Sequence, residues 1–322
     1  MAAPELAIII VNYNTRDEVL ECVQSVVSTT AVPLEIVVVD NGSVDDSVAG
    51  LRAFGSPVTV VEAGANLGFA KGVNRGVEHT HAPWVLLLNP DTIVLDGALD
   101  ALVAFANAHP EFGVYGGRTL RPDRSTDPSS CWGAMSLWSL TCFALGLTTI
   151  FKRSRLFDPE SLGQWNRDSV REVPIVTGCL LLIARENWRR LGGMDERFFL
   201  YGEDAEFSGR ARKGGLRPVI VPDATIIHAV GGSTVPGGRK MSLVMAGKAT
   251  VLNTQWRPLR AAIGIALLQM GAGLRAAPYA LRRKDGTWTH AWAHRRDWRG
   301  GYPEALARLF DDQLVPHELK GA

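Results

Sequence analysis

The sequence predicts a doubly wound α/β fold on a mostly parallel sheet. Three observations carry this. Short apolar runs alternate with segments of helical spacing, the early runs end on polar residues, and the first run, Leu6–Val11, is too apolar throughout to have one wet face. Strand alternating with helix implies parallel pairing through right-handed crossovers. At 322 residues the chain can bury a substantial core.

Leu6–Val11 reads as a buried strand, and residues 18–27 follow with helical spacing at Val19, Cys22, Val23, Val26 and Val27, Thr15 or Asp17 serving as cap. Glu35–Val39 is a second strand ending on Asp40, and Asp45 and Asp46 open a helix to Phe54. Val58–Glu62 is a third strand, residues 68–79 a helix, and Trp84–Leu88 a fourth strand closed by Asn89-Pro90-Asp91. Residues 97–108 form a helix and Gly113–Gly117 a short strand. Between Arg118 and Glu172, prolines and scattered tryptophans erase the periodicity, which predicts a binding loop or lid. Regularity returns with a strand from Ile175 through Gly178 to Ile183, a helix from Arg185, another over Glu203–Lys213, and two strands, Pro218–Val221 and Thr225–His228.

Composition narrows the function. Charged residues make up 21% and hydrophobic ones 46%, ordinary for a globular protein. The net charge of +1 hides an asymmetry: residues 1–100 hold 4 Lys/Arg against 13 Asp/Glu, residues 255–322 hold 11 against 6. A basic C-terminal part suggests an anionic surface or substrate. No basic recognition helix or nucleic-acid module is present, so nucleic acid is not an expected partner. Cys22, Cys131, Cys142 and Cys179 show no Cys-x-x-Cys spacing and read as free thiols of a reducing compartment. No basic, then apolar, leader opens the chain, and the apolar run 261–274 is shorter than a bilayer requires, so a cytoplasmic protein is expected.

Five groups carry candidate chemistry. Asn12-Tyr13-Asn14 follow the first strand, where polar and aromatic side chains can bind a nucleobase; with no glycine between Leu6 and Asn41, the loop is unlike a dinucleotide dehydrogenase's first turn. Asp40, ahead of Asn41-Gly42-Ser43, can accept hydrogen bonds from a base or ribose. Asn66 and Gly68 open a helix whose bare N–H groups, with Lys71, favour an anion, while Gly72 and Gly76 let that helix approach the sheet. Asn89 and Asp91 end the fourth strand, where Asp91 can hold a metal; His228 is a second candidate ligand, followed by Gly231-Gly232-Ser233 as a backbone nest for phosphate. Tyr201-Gly202 presents Glu203 and Asp204 at a helix start, and a carboxylate there can act as general base.

In order, Val11-Asn12-Tyr13-Asn14, Val39-Asp40-Asn41-Gly42-Ser43, Asn66-Leu67-Gly68-Phe69-Ala70, Asn89-Pro90-Asp91, Gly202-Glu203-Asp204 and His228-Ala229-Val230-Gly231-Gly232-Ser233 resemble the inverting family 2 glycosyltransferases of GT-A fold, in particular their rhamnosyltransferase-like branch. The resemblance implies a GT-A catalytic domain over 1–235, with a nucleotide-sugar half at 1–117 and an acceptor half at 118–235. It implies a donor sugar nucleotide, dTDP-L-rhamnose favoured over a UDP-linked hexose or galactofuranose, and transfer to a hydroxyl of a glycan or lipid-linked acceptor in cell-envelope polysaccharide synthesis. Asp40 would contact base or ribose, Asp91 and His228 would hold Mg2+ or Mn2+, Asp204 would be the base, and Glu203 would orient the acceptor. The sequence departs from the family's Asp-x-Asp at Asn89, which predicts a weakly held metal. A nucleotidyltransferase is the alternative, disfavoured because residues 11–17 lack the glycine and lysine its first loop needs.

Residues 236–322 are expected to form a helical extension. Its apolar stretch before Arg282-Arg283-Lys284, and the mix of Trp, His and Arg from Trp288 onward, suggest a peripheral contact with the inner face of the plasma membrane, or with a second subunit.

Overall fold

The structure, a computed structural model, describes residues 3–228 and 237–309. In chain order the elements are β1 (Leu6–Asn12), α1 (Arg16–Thr29), β2 (Leu34–Asp40), α2 (Ser47–Phe54), β3 (Val58–Glu62), α3 (Phe69–Glu78), β4 (Trp84–Leu88), β5 (Thr92–Val94), α4 (Ala98–Ala108), β6 (Gly113–Leu120), β7 (Thr126–Asp127) and β8 (Cys131–Trp132). Then come α5 (Leu137–Ala144), α6 (Leu147–Ile150), β9 (Arg171–Glu172), β10 (Ile175–Val176), β11 (Leu180–Ala184), α7 (Arg185–Leu191), α8 (Glu203–Lys213) and β12 (Arg217–His228). The last are α9 (Gly237–Gln255), α10 (Pro258–Leu281), α11 (Thr287–Ala293), α12 (Arg295–Trp298) and α13 (Glu304–Leu309).

The chain divides into two compact units. The first holds residues 1–132, 166–195 and 207–233; the second holds 133–165, 196–206 and 234–322.

The first unit is a mixed, mostly parallel sheet in the order β3-β2-β1-β4-β11-β6-β12-β5. β1, β2, β3 and β4 run parallel, β12 parallel to β6, and β11 and β5 antiparallel to their neighbours. The predicted doubly wound α/β architecture is present, with helices on both faces. On one face Leu6, Ile8 and Ile10 pack with Val19, Val23 and Leu51 and with Leu99 and Leu102 of α4. On the other, α3 lies close enough that a Cβ on Gly76 would come within 2.6 Å of Ile9, and one on Gly72 within 2.9 Å of Val11. Burying each such aliphatic side chain contributes about 1.5–3 kcal/mol, and the two glycines let α3 reach the sheet.

Four local expectations change. The expected strand 175–183 is two strands: β10 pairs with β8, whereas β11 enters the main sheet. Thr177 fixes the change of partner, its N–H donating to Ser130 O (3.1 Å) and its hydroxyl to Ser129 O (3.0 Å). Continuous apolarity hides such a switch. Conversely, the two strands expected over 218–228 form one, β12, whose register shifts between Val221 and Thr225. Pro222, which has no N–H to donate, sits in that irregularity. The stretch 118–172 is not one irregular loop, since it carries α5, capped reciprocally by Ser136 and Ser139. Finally, Thr15 occupies the N-cap of α1 without a cap bond, because its hydroxyl donates to Asn12 Oδ1 (2.7 Å).

The second unit is helical apart from its irregular segments. The small residues Ala261, Gly264, Gly271, Ala272 and Ala276 form the buried side of α10. A Cβ on Gly271 would lie 2.4 Å from the Phe143 ring, and one on Gly264 3.1 Å from Leu140, so α5 rests directly on this stripe. Trp298 is fully buried and donates from Nε1 to Ala291 O (2.7 Å). The apolar run read as 261–274 extends into a helix of 24 residues, the one described helix long and apolar enough to cross a membrane.

Candidate active site

The first constellation forms where parallel strands end together. Asn12 pairs in register with Asp40, and Ile10 with Leu88, so the ends of β2, β1 and β4 share one edge. The chain winds from β1 outward to β3, then returns to place β4 on the other side of β1. That reversal is a topological switch point, where open α/β sheets bind ligands.

Asn12 is fully buried and donates from Nδ2 to Asp40 Oδ1 (2.9 Å) and Ser43 Oγ (3.1 Å). Asp40 Oδ2 accepts from the backbone N–H groups of Ser43 (2.9 Å) and Gly42 (3.2 Å). Asn14, in left-handed backbone at φ 54°, accepts from Val44 N at Oδ1 (2.8 Å) and donates its own N–H to Ser43 Oγ (2.9 Å). Much of the carboxylate is thus committed to shaping its own loop. Tyr13 is half-buried beside this network and makes no side-chain hydrogen bond among the described residues.

Asn66 lies ahead of α3 and does not occupy its N-cap. Its Oδ1 accepts from Gly68 N (3.0 Å), and Gly68, at φ 80°, holds the N-cap position. Asn41 ties this turn to the first network, donating from Nδ2 to Gly68 O (3.0 Å) and Asn66 Oδ1 (3.4 Å). Lys71 lies half-buried in the first turn of α3.

The third group is created by strand pairing. β5 leaves the Asn89-Pro90-Asp91 turn and runs antiparallel to β12, with Thr92 opposite His228. This register brings His228 Nε2 to 3.1 Å from Asp91 Oδ1 and 3.3 Å from Asn89 Nδ2. Both Asp91 and His228 side chains are largely buried, at 8% and 13% exposure. Six-coordinate Mg2+ or Mn2+, with ligands at about 2.1 Å, sets adjacent ligand atoms about 3 Å apart. The Asp91–His228 separation fits such an edge, and carboxylate and imidazole suit the ion. No cluster of three acidic, His or Cys groups occurs among the described residues. The Gly231-Gly232-Ser233 nest lies outside the described residues.

Glu203 and Asp204 fall in the second unit. Tyr201 and Gly202 before them both have positive φ, 70° and 100°. Gly247 of α9 holds this turn: its own Cβ would lie 2.0 Å from Tyr201 O, and one on Gly202 would lie 2.9 Å from Gly247 Cα. Such a contact admits only glycine. Glu203 is 7% exposed, and its Oε2 has no hydrogen-bond partner among the described residues. Burial first, and then the negative charge of Asp204, push the Glu203 carboxyl up to about 8 from the ordinary 4.5. Burial therefore favours the neutral acid form of Glu203. Asp204 is half-buried, with Oδ1 accepting from Ala205 N (2.7 Å).

Some supporting residues carried no local signal. Tyr302 donates from its hydroxyl to Leu200 O (2.6 Å) and packs edge-on to Phe198, its own N–H donating to Thr250 Oγ1 (2.8 Å). About a hundred residues separate it from Glu203. Ser43 and Asn41 lay inside a recognised motif, but the sequence showed only a turn there.

The fold is that of the GT-A glycosyltransferases, which solved structures share with it. A mannosyltransferase from Pyrobaculum calidifontis, solved with GDP-Man and Mn2+, is 20% identical at a TM-score of 0.55, covering 96% of this chain and 86% of its own. GalNAc-T7, solved with UDP, GalNAc and Mn2+, gives 0.61 at 15% identity, covering 94% and 58%. Residues 7–158 match the model of glycosyl transferase family 2, and the chain is a glycosyltransferase. An N-acetylglucosaminyl-diphospho-decaprenol L-rhamnosyltransferase of Mycobacterium tuberculosis is 29% identical over 247 residues, 71% of this chain and 77% of its own. An O-antigen biosynthesis protein of Myxococcus xanthus is 27% identical over 229 residues, 70% of this chain but 17% of its own.

Proposed function

We propose that the protein transfers L-rhamnose from dTDP-L-rhamnose to a hydroxyl of a lipid-linked saccharide, with inversion, at the inner face of the plasma membrane during cell-envelope polysaccharide synthesis. The carrying observation is the Asp91–His228 pair at the switch-point edge of the sheet, with Asp91 inside the stretch that matches the family 2 model. The Mycobacterium relative, whose name specifies rhamnosyl transfer to a diphospho-decaprenol acceptor, supports the choice of donor and acceptor class.

In this reading Asn12, Asn14 and Asp40 form the nucleoside loop, with Tyr13 supplying a ring for the base. Asn66, Gly68 and Lys71 attract the diphosphate through helix N–H groups and a cation. Asp91 and His228 would hold a divalent ion beside Asn89, whose neutral side chain would leave it weakly bound. When bound, that ion would neutralise charge on the departing diphosphate. The acceptor oxygen attacks the anomeric carbon as the bond to diphosphate breaks, and Asp204 takes the hydroxyl proton. Neutral Glu203 donates a hydrogen bond that orients the acceptor.

The test is a thermal-shift and turnover comparison of dTDP-rhamnose with UDP- and GDP-sugars, with and without Mn2+, on wild type and Asp204→Asn. Stabilisation by dTDP-rhamnose, with turnover cut at least about a thousandfold in the variant while donor binding persists, is expected. Stabilisation by a different sugar nucleotide alone would reject the donor. Turnover undiminished in Asp204→Asn would reject the base.

A further inference from the structure

We infer that the exposed side of α10, with the neighbouring α5–α6 corner, is a docking face for an anionic lipid bilayer. Leu259, Ile263, Met270, Leu274 and Leu281 recur at intervals of four and seven residues, so they line one side of the helix. Each is substantially exposed, from 45% at Ile263 to 86% at Leu281. Between Leu259 and Leu281 the remaining exposed residues are Arg260, four alanines, Pro278 and Tyr279. At about 1.5 Å per residue the stripe is about 33 Å long. The opposite side carries the buried small residues against α5, so the apolar stripe is not the helix's own core face.

The stripe widens at its middle. Leu274 abuts Gly146, whose Cβ position lies 3.2 Å from Leu274 Cδ2. Around that glycine Leu145, Ile150, Phe151 and Leu156 are all exposed, next to exposed Lys152 and Arg155. Arg275 locks the corner to the helix. It donates to Phe143 O (2.7 Å), Thr148 Oγ1 (2.8 Å) and Thr149 Oγ1 (3.0 Å), and its guanidinium lies 4.0 Å from the Phe143 ring centre. Those bonds make α10 part of a folded unit along its buried side, so it lies on a bilayer surface rather than crossing one. An apolar surface this extended marks an interaction site.

Charge identifies the occupant. From Arg257 to Lys284 the chain has six cationic residues and no Asp or Glu. Arg257 and Arg260 stand at one end of the stripe, and Arg282, Arg283 and Lys284, all exposed, at the other. A second copy docking on the same stripe, parallel or antiparallel, would bring cations against cations. A bilayer carrying anionic headgroups takes the apolar side chains into its acyl boundary and both basic ends onto its surface. This assignment is independent of donor and acceptor.

The test uses the full chain and sedimentation with vesicles of phosphatidylcholine, with or without phosphatidylglycerol and free of any sugar acceptor. Binding to the anionic vesicles, at least tenfold stronger than to phosphatidylcholine alone and weakened by salt, is expected. Replacing Arg282, Arg283 and Lys284 with Gln should weaken it about a hundredfold, at about 1 kcal/mol per cation. Ile263→Glu with Met270→Glu should abolish it. Equal partition onto both vesicle types, or none, would overturn the proposal. So would a lipid-free dimer that the two Glu substitutions dissociate, since a second copy would then be the occupant.

Discussion

His228 Nε2 and Asp91 Oδ1 stand 3.1 Å apart although 137 residues separate them in the chain. The link is a strand of three residues, β5, whose antiparallel register against β12 sets Thr92 opposite His228. A carboxylate and an imidazole largely removed from water are thereby fixed at the end of a rigid sheet. Divalent-ion affinity should depend on both. Asp91→Asn removes the charge without changing shape, and His228→Ala removes a nitrogen ligand. Each is expected to lower Mn2+-dependent donor binding at least about tenfold with little loss of folded stability. Calorimetric titration of dTDP with and without Mn2+ checks this, and equal metal dependence in all three proteins would dissociate the pair from metal.

Asp40 is predicted to matter twice. Its carboxylate accepts from Asn12 and from two backbone N–H groups, so the loop it would offer to a nucleoside is built by the same oxygen atoms. Asp40→Ala strands these donors and should cost about 2–4 kcal/mol, along with nucleotide binding. Asp40→Asn retains an acceptor and should recover much of the stability while leaving nucleotide affinity reduced. Urea denaturation and equilibrium binding on the two variants separate the effects. Equal stability in all three proteins would show that the network contributes nothing to folding.

The sheet was legible where apolar residues run unbroken between polar ends: β3 and β4 begin and end where the sequence placed them. Legibility failed where a strand changes partner, as at Thr177, because the residues on either side are equally apolar. It also failed at α5, where Ser136 and Ser139 signal a start amid a stretch dense in proline and tryptophan. At the site, the motif residues Asn12, Asp40, Asn89 and Asp91 come from strand ends, which periodicity locates. Tyr302, Thr250 and Gly247 support the Tyr201–Glu203 turn from distant helices and loops, and only tertiary packing brings them there.

Glu203 should make stability depend on pH in a defined sense. With its carboxyl pushed up to about 8 in the folded state against 4.5 ordinarily, the folded protein keeps a proton that the unfolded chain releases. Stability is then fully present below about pH 4.5 and declines through about pH 8, by at most about 1.4 kcal/mol per pH unit. Glu203→Gln has no proton to lose and should flatten this decline, becoming more stable than wild type at pH 9. Denaturation at pH 6 and pH 9 reads the difference. An unchanged pH dependence would mean that Glu203 titrates as an ordinary carboxylate.

Gly247 gives the sharpest steric prediction. A methyl group there would sit 2.0 Å from Tyr201 O, far inside contact distance, and the blocking atom is backbone. Neither a rotamer change nor a small side-chain shift can relieve it, so Gly247→Ala must displace either α9 or the Tyr201–Gly202 turn. The turn is the easier to move, since Tyr201 already carries positive φ and its strain is held by this packing. The variant should lose about 1–3 kcal/mol, as overpacked sites do. Because the displaced turn leads directly into Glu203 and Asp204, it should also lose turnover out of proportion to its unfolded fraction. Gly55→Ala is the control: it too has positive φ, but nothing lies within 4 Å of its Cβ position. It should lose some stability through strain and keep its turnover per folded molecule. If Gly247→Ala also kept full turnover per folded molecule, the turn would not be what positions the carboxylate pair.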